Sequence, residues 1–171
     1  VIAREFGRFV GRGLVYKGLK PVHWCMHCKT ALAQAEVEYE EQRTPSVYVK
    51  FPLVDRLPAW PDAPRPALVI WTTTPWTLPA NQAVCLHPLF DYVLVEFQRA
   101  EGPERLIVAE GLLEAFANRI GATGRRVLAK ASGEALEGLR LEHPLYEREV
   151  PAGLGDHVTL ETGTGAVHTP P

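Results

Sequence analysis

Three groups of side chains have the types and spacing for chemistry. The first is the run Trp71-Thr72-Thr73-Thr74-Pro75-Trp76, followed shortly by Asn81. Each threonine hydroxyl is donor and acceptor at once. In an extended strand Thr72 and Thr74 point to one face and Thr73 to the other, so two hydroxyls can enter one cavity. Asn81 can bring a fixed amide to the same place. These residues also suit strand propensity, a cap on the following turn or, for Asn81, the turn itself.

The second group is His168, which follows Gly163 and Gly165 in "GTGAVHT". A histidine beside a glycine bulge can hold a water, donate to a carbonyl, or gate a pocket by its bulk; the alternative is a structural strand histidine. The third is Cys25-Met26-His27-Cys28. Such a knuckle turns two thiolates to one side, as tetrahedral zinc requires. Two thiolates do not close a zinc site. His23 or His27 can complete one, and a free dithiol or half of a site finished elsewhere are the other options. Cys85 lies in an apolar run and is expected to be buried.

An activated nucleophile is missing from this inventory. There is no G-x-S-x-G elbow, and the two G-x-G runs, at 11–13 and 163–165, lack the Lys-Ser/Thr of a phosphate loop. Any catalysis must therefore act by positioning water in a polar pocket.

The elements around these groups follow from periodicity. Ile2, Phe6, Phe9 and Val10 predict a helix over 1–13 ending at Gly11 and Gly13. The segment 14–28 reads as a short strand or ribbon running into the knuckle. The segments 31–42 and 45–51 read as two strands joined at Arg43-Thr44-Pro45. Pro52, Pro58, Pro61, Pro64 and Pro66 predict a surface loop. The runs 67–73, 82–87, 91–97 and 105–109 predict strands, with Pro75 and Pro79 forcing a turn after Thr74. Leu112, Leu113, Phe116 and Ile120 share one helical face closed by Gly121. A last pair of strands is expected around Gly163 and Gly165. The fold class expected is a β-rich α/β (α+β) domain, with a β-barrel core and peripheral helices.

The bulk numbers agree with a soluble domain. The 171 residues are 46% hydrophobic, and eighteen basic against twenty acidic residues give a net charge of −2. That balance excludes a globally basic nucleic-acid binder and leaves Arg125, Arg126 and Lys130 as a local basic patch or a solvated face. No apolar run approaches the roughly 20 residues that span a bilayer, so no membrane partner is expected. Three cysteines are too few for a disulfide framework, and an intracellular, cytoplasmic location is expected. The chain starts without Met, as a piece of a larger protein would.

The motifs "KPVHWCMHCKTALAQAEVEYEE", "TPSVYVKF", "WTTTPWTLPANQAV", "GDHVTL" and "GTGAVHT" resemble, in order, the editing segment inserted into class I isoleucyl-tRNA synthetases. The resemblance runs from about residue 15 to the C-terminus. His168 is isoleucyl-like, where valyl enzymes carry Lys, and "TPWTLP" differs from the Arg-Pro-Asp turn of leucyl enzymes. It implies two parts: residues 1–30 as a stem and zinc knuckle leading from the synthetase body, and residues 31–171 as the editing barrel.

The resemblance also implies a reaction. A hydrophobic pocket separates side chains that differ by one methylene by only ~1–3 kcal/mol, a limit for which isoleucine and valine are themselves the reference case. An editing site hydrolyses valine attached to the isoleucine tRNA, with valyl-adenylate as a second candidate substrate, and excludes isoleucine by size. Thr72, Thr73, Thr74, Asn81 and His168 are the implied catalytic set; Trp71 and Trp76 join Thr72 and His168 as substrate-binding residues. The water is held between hydroxyls, Asn81 and the substrate's ribose hydroxyl, without a covalent intermediate. Cys25 and Cys28 become half of a zinc site whose other half lies downstream in the parent enzyme. ATP and magnesium belong to the synthetic site outside this chain. Partners are the tRNA 3′ end and the rest of the synthetase. In the family an Asp shortly after the His anchors the substrate's amino group. The sequence ends at Pro171 before any such residue, so weak or absent activity is expected of the chain alone. Two rivals remain: a valyl-type editing domain removing threonine, and a non-catalytic zinc-knuckle module that stacks nucleic-acid bases on Trp24, Trp60, Trp71 and Trp76.

Overall fold

The computed structural model describes residues 1–19, 21–41, 43–56, 65–99 and 102–170. The chain divides into two compact units, Val1–Arg43 and Thr44–Pro171. In the first, α1 (Ile2–Gly11) forms as its apolar periodicity predicts, and Gly13 takes a left-handed φ of +71° just beyond it. Strands β1 (His23–Cys25) and β2 (Thr30–Leu32) make an antiparallel ribbon with Trp24 opposite Ala31. The strand expected over 31–42 stops at Leu32. A short 3-10 turn, Gln34–Glu36, replaces it, because the Glu36 carboxylate accepts the Ala33 N–H at 2.7 Å and gives the backbone a local alternative to a ladder.

The second unit carries two mixed sheets. The larger has the order β3 (Val47–Pro52), β4 (Ala67–Thr72), β7 (Gly102–Ala109), β6 (Asp91–Arg99), β8 (Gly124–Ser132), with β4 and β7 parallel and the other pairs antiparallel. The smaller has the order β11 (Ala166–Thr169), β5 (Ala83–Leu86), β10 (Glu149–Leu154), β9 (Arg140–Glu142), with β5 and β10 parallel. Helix α2 (Leu113–Arg119) follows a 3-10 turn, and Gly121 closes it at φ +64°. The β-rich α/β class holds. The barrel does not: among the described residues the strands form separate sheets with free edges, and no sheet closes on itself. Of the final strand pair only β11 forms, since residues 155–165 are spent on turns. Within the proline-rich loop, Pro58, Pro61, Pro64 and Trp60 lie outside the described residues.

Burial on both faces explains the unbroken apolar run of β4. Leu68 and Ile70 join Phe51, Leu94, Ile107, Val84, Leu86 and Leu141 in a core shared by the two sheets. Ala67 and Val69 point the other way, into a second core with Val93, Val95 and the α2 residues Leu113 and Phe116. The candidate basic patch is spoken for. Arg125 pairs with Glu114, Arg126 with Glu96 at 3.2 Å, and Lys130 with both Asp91 at 3.0 Å and Glu110 at 2.7 Å. Among the described residues no helix is long and apolar enough to cross a membrane.

Two glycines set the placement of β11. Gly165 has φ +75°, and a Cβ there would lie 2.4 Å from the Cβ of Ala109; Gly163 has φ +86° and lies against the Trp71 side chain. The loop can thus lie directly on the end of β7, where the Ala109 N–H donates to the Thr164 carbonyl at 2.9 Å. Tyr92 locks it from below. Its buried hydroxyl donates to the Gly165 carbonyl at 2.5 Å and accepts the His87 N–H at 3.0 Å, and burial pushes its pKa up to about 12.

Candidate active site

Strand β4 ends at Thr72, one residue earlier than the hydroxyl run suggests, and the chain turns through Thr73 into the 3-10 turn Pro75–Ala80. Pro75 opens that turn, where a missing N–H costs nothing. Thr72 and Thr74 still meet: their hydroxyl oxygens are 3.2 Å apart, and Thr72 Oγ1 also accepts the Thr74 N–H at 3.0 Å. Thr72 is buried, while Thr73 is half-buried.

His168 comes to this turn through sheet register. On β11 it sits opposite Val84 of β5, and the Gln82 N–H donates to the Thr169 carbonyl at 2.9 Å, so the strand start and Asn81 are brought alongside. The ring then has a defined tautomer. Thr77 Oγ1 donates to the Thr74 carbonyl at 2.7 Å, which uses its only proton, so at 3.0 Å from His168 Nε2 it must accept. His168 therefore carries its proton on Nε2, and its Nδ1 lone pair faces the Asn81 amide nitrogen at a long 3.5 Å. Asn81 is fully buried; its Nδ2 also donates to the Ala83 carbonyl at 2.8 Å, which fixes the amide orientation, and its Oδ1 has no protein partner. Desolvation holds the His168 pKa below the ordinary histidine value. The imidazole is neutral, with both nitrogens engaged.

Beside this chain of hydrogen bonds lies a cavity of ≈250 Å³ lined by Thr72, Thr73, Thr159, Thr162 and Thr164, together with His157. Thr164 is buried and its hydroxyl has no protein partner. Trp71 closes one side and Gly163 lets the backbone approach it. Asn81 and His168 do not line the cavity. Thr72 belongs to both the cavity and the hydrogen-bonded cluster.

The structure thus gathers Thr72, Thr74, Asn81 and His168, sets Trp71 and Thr73 at the cavity, and leaves Trp76 outward and 67% exposed. It adds four residues that sequence reasoning did not single out: Thr77, Thr164, His143 and Arg148. Thr77 stands in the same hydroxyl-rich motif and could have been picked by type. Thr164 stands between the two glycines of "GTGAVHT" and could have been picked from that run; His143 and Arg148 have no local signal.

Cys25 and Cys28 belong to the other unit. The Cys28 N–H donates to Cys25 Sγ at 3.3 Å, and backbone N–H donors from Cys28 and then His27, followed by the Cys28 side chain, draw the Cys25 pKa below the usual thiol value. Among the described residues no three His, Cys, Asp or Glu side chains cluster as a metal site. Cys85 is only half-buried, its sulfur 3.2 Å from Thr169 Oγ1.

A profile described as tRNA synthetases class I (I, L, M and V) matches residues 1–146. The chain is 51% identical over 177 residues to the isoleucine–tRNA ligase of Nitrosococcus oceani, covering 99% of this chain and 19% of that protein. With the isoleucine–tRNA ligase of Methylococcus capsulatus the identity is 52% over 180 residues, again 99% of this chain and 19% of the relative. The chain therefore spans about a fifth of the length of the curated relatives it matches. Its fold is that of the editing domain of the P. knowlesi cytosolic leucyl-tRNA synthetase, with a TM-score of 0.59 at 17% identity over 72% of this chain and 56% of that one. The threonine turn and the strand that brings His168 to it lie in a chain that belongs to the class I tRNA synthetases (I, L, M and V).

Proposed function

We propose that this chain is the editing region of an isoleucyl-tRNA synthetase, which hydrolyses valine esterified to the isoleucine tRNA and excludes isoleucine by size. The observation that carries the reading is the neutral His168, fixed between Thr77 and Asn81 beside a small threonine-lined cavity. At ≈250 Å³ the cavity is smaller than the roughly 300–1,000 Å³ of ordinary ligand pockets, a size that suits an aminoacyl group.

Hydrolysis here needs a positioned water. The water adds to the ester carbonyl, the bond to the tRNA ribose oxygen breaks, and free valine and the ribose hydroxyl leave. Threonine hydroxyls from the strand end and the loop orient water and ester. With both nitrogens engaged, His168 acts as a rigid ring fixed beside the cavity in preference to a general base. Valyl-adenylate, a mixed anhydride carrying the same aminoacyl group, is a second candidate, from which water would release valine and AMP.

In this reading Thr44–Pro171 is the catalytic body and the first unit links it to the remainder of the synthetase, refining the division at residue 30. Cys25 and Cys28 fit two of the four positions of a structural zinc site, which would supply rigidity and no catalytic step. ATP and magnesium are assigned to the synthetic site elsewhere, the tRNA 3′ end is the partner, and the cytoplasm is the location. A panel of valyl- and isoleucyl-tRNA for isoleucine and threonyl-tRNA for valine tests it. Preferential loss of valine supports the reading; preferential loss of threonine replaces it with the valyl-type one, and base binding without hydrolysis with the knuckle module.

A further inference from the structure

The hairpin between β9 and β10 reaches across to the turn that carries Asn81. His143 is buried, and its Nδ1 accepts the backbone N–H groups of Leu145 at 3.1 Å and Tyr146 at 3.2 Å. That nitrogen therefore has no proton, and Nε2–H donates to the Leu78 carbonyl at 3.0 Å. Arg148 places one guanidinium nitrogen on two further carbonyls, Pro79 at 3.1 Å and Asn81 at 2.5 Å. Two side chains of one hairpin thus take the carbonyls of Leu78, Pro79 and Asn81 at the end of the turn, where helical donors run out; the Leu78 carbonyl also accepts the Asn81 N–H at 3.0 Å. The hairpin is stiffened from within: Tyr146 stacks on His143 with centroids 5.2 Å apart, and the Arg148 guanidinium lies 6.0 Å from the Tyr146 ring.

The hairpin reinforces a thin ladder. Pro79 supplies no N–H inside the turn, whose backbone bonds include Thr77 N–H to the Thr74 carbonyl at 3.1 Å and Asn81 N–H to the Leu78 carbonyl at 3.0 Å. Yet Asn81 must stay within reach of His168 Nδ1, and Thr77 must meet Nε2. We propose that His143 and Arg148 are positioning residues for the hydrolytic site, holding the Pro75–Ala80 turn so that Thr77 and Asn81 fix His168 at the cavity. The proposal rests on the editing reading for its functional consequence, while its geometric content stands apart from it. Neither residue touches the substrate.

The test compares Arg148→Met, which keeps the aliphatic stem, with Arg148→Lys, which restores a donor. Arg148 is exposed, so both variants should fold, and unmoved backbone amides in β6 and β8 verify this. Two readouts are taken: NMR resonances of the Asn81 side-chain amide and the His168 ring in the 171-residue chain, and steady-state hydrolysis of valyl-tRNA by the synthetase that carries it. For Arg148→Met the expected result is displaced Asn81 and His168 resonances and a kcat lowered about tenfold with KM within about twofold, the pattern of a misplaced group. Arg148→Lys should recover most of both. Unmoved Asn81 and His168 signals in Arg148→Met overturn the proposal, as does an unchanged kcat. If the unaltered synthetase hydrolyses no valyl-tRNA, the editing reading fails, and the resonances alone still decide whether the hairpin positions the pair.

Discussion

The Thr77 hydroxyl accepts the Nε2 proton of His168 at 3.0 Å, across 91 residues of sequence. That one bond converts a titratable ring into a fixed, neutral surface, because Thr77 has already given its own proton to the Thr74 carbonyl. It also ties the end of β11 to the turn after β4, and so joins two motifs that are far apart in the chain.

Removing the ring should open the size filter. His168→Ala is expected to let isoleucyl-tRNA be deacylated at a rate approaching that of valyl-tRNA, since one methylene is worth only ~1–3 kcal/mol of discrimination. Comparing the two deacylation rates in the variant checks it; unchanged discrimination would remove His168 from the gating role.

Thr77→Val keeps the shape and deletes the hydroxyl. The His168 Nε2–H loses its partner and the Thr74 carbonyl keeps only the backbone N–H of residue 77, at 3.1 Å, which should cost about 1–3 kcal/mol in urea unfolding and slow hydrolysis. Thr77→Ser restores the hydroxyl and should recover most of the loss. Equal behaviour of the valine and serine variants would show that the hydroxyl has no part.

Gly165→Ala meets two obstacles: a φ of +75° and a Cβ placed 2.4 Å from that of Ala109. Backbone strain and overpacking together should destabilise the chain by roughly 3 kcal/mol. Gly102, at φ +118° with open space around it, is the control for strain without a clash. Equal losses at the two sites would mean that the close approach to β7 is unimportant.

Acid should weaken this unit in a defined direction. Burial lowers the pKa of both His143 and His168 in the folded chain. Their contribution to stability is complete above the unfolded histidine value of about 6.5, and is lost as pH falls through the lowered folded values, where the unfolded chain takes up protons first. Urea midpoints between pH 8 and pH 5 should therefore fall more steeply in the unaltered chain than in His168→Gln. Parallel curves would show that His168 has no share in the acid sensitivity.

Cobalt offers a reading of the knuckle. A titration of the chain should give a thiolate-to-metal band of the strength of two sulfur ligands, abolished in Cys25→Ser and in Cys28→Ser. A band of four-thiolate strength would mean that two chains share one ion.

Legibility from sequence followed distance along the chain. Helix α2 forms where Leu112, Leu113 and Phe116 share a face, and of the strand or ribbon expected over 14–28 only β1, His23–Cys25, forms ahead of the knuckle. The strand expected over 31–42 failed at Leu32, where the Glu36 carboxylate captures the Ala33 N–H, a competition that apolar alternation does not register. The expected barrel resolved into separate sheets, because closure depends on strand tilt and stagger, which no local pattern encodes.

Residue types alone determined the chemistry available to this protein: hydroxyls and an amide to orient water, an imidazole near a glycine loop, a pair of thiolates, and no activated nucleophile. Those properties reside in single side chains and short turns, whose dihedral and hydrogen-bonding preferences the chain carries with it. The tertiary structure decided which of them meet. The β11–β5 register set His168 against Thr77 and Asn81, Tyr92 and Gly165 placed the loop that brings Thr164 to the cavity, and the β9–β10 hairpin sent His143 and Arg148 to carbonyls more than sixty residues away. Such contacts exist only once the two sheets pack on their shared core, because side chains so distant in sequence have no energetic knowledge of one another until burial brings them into range.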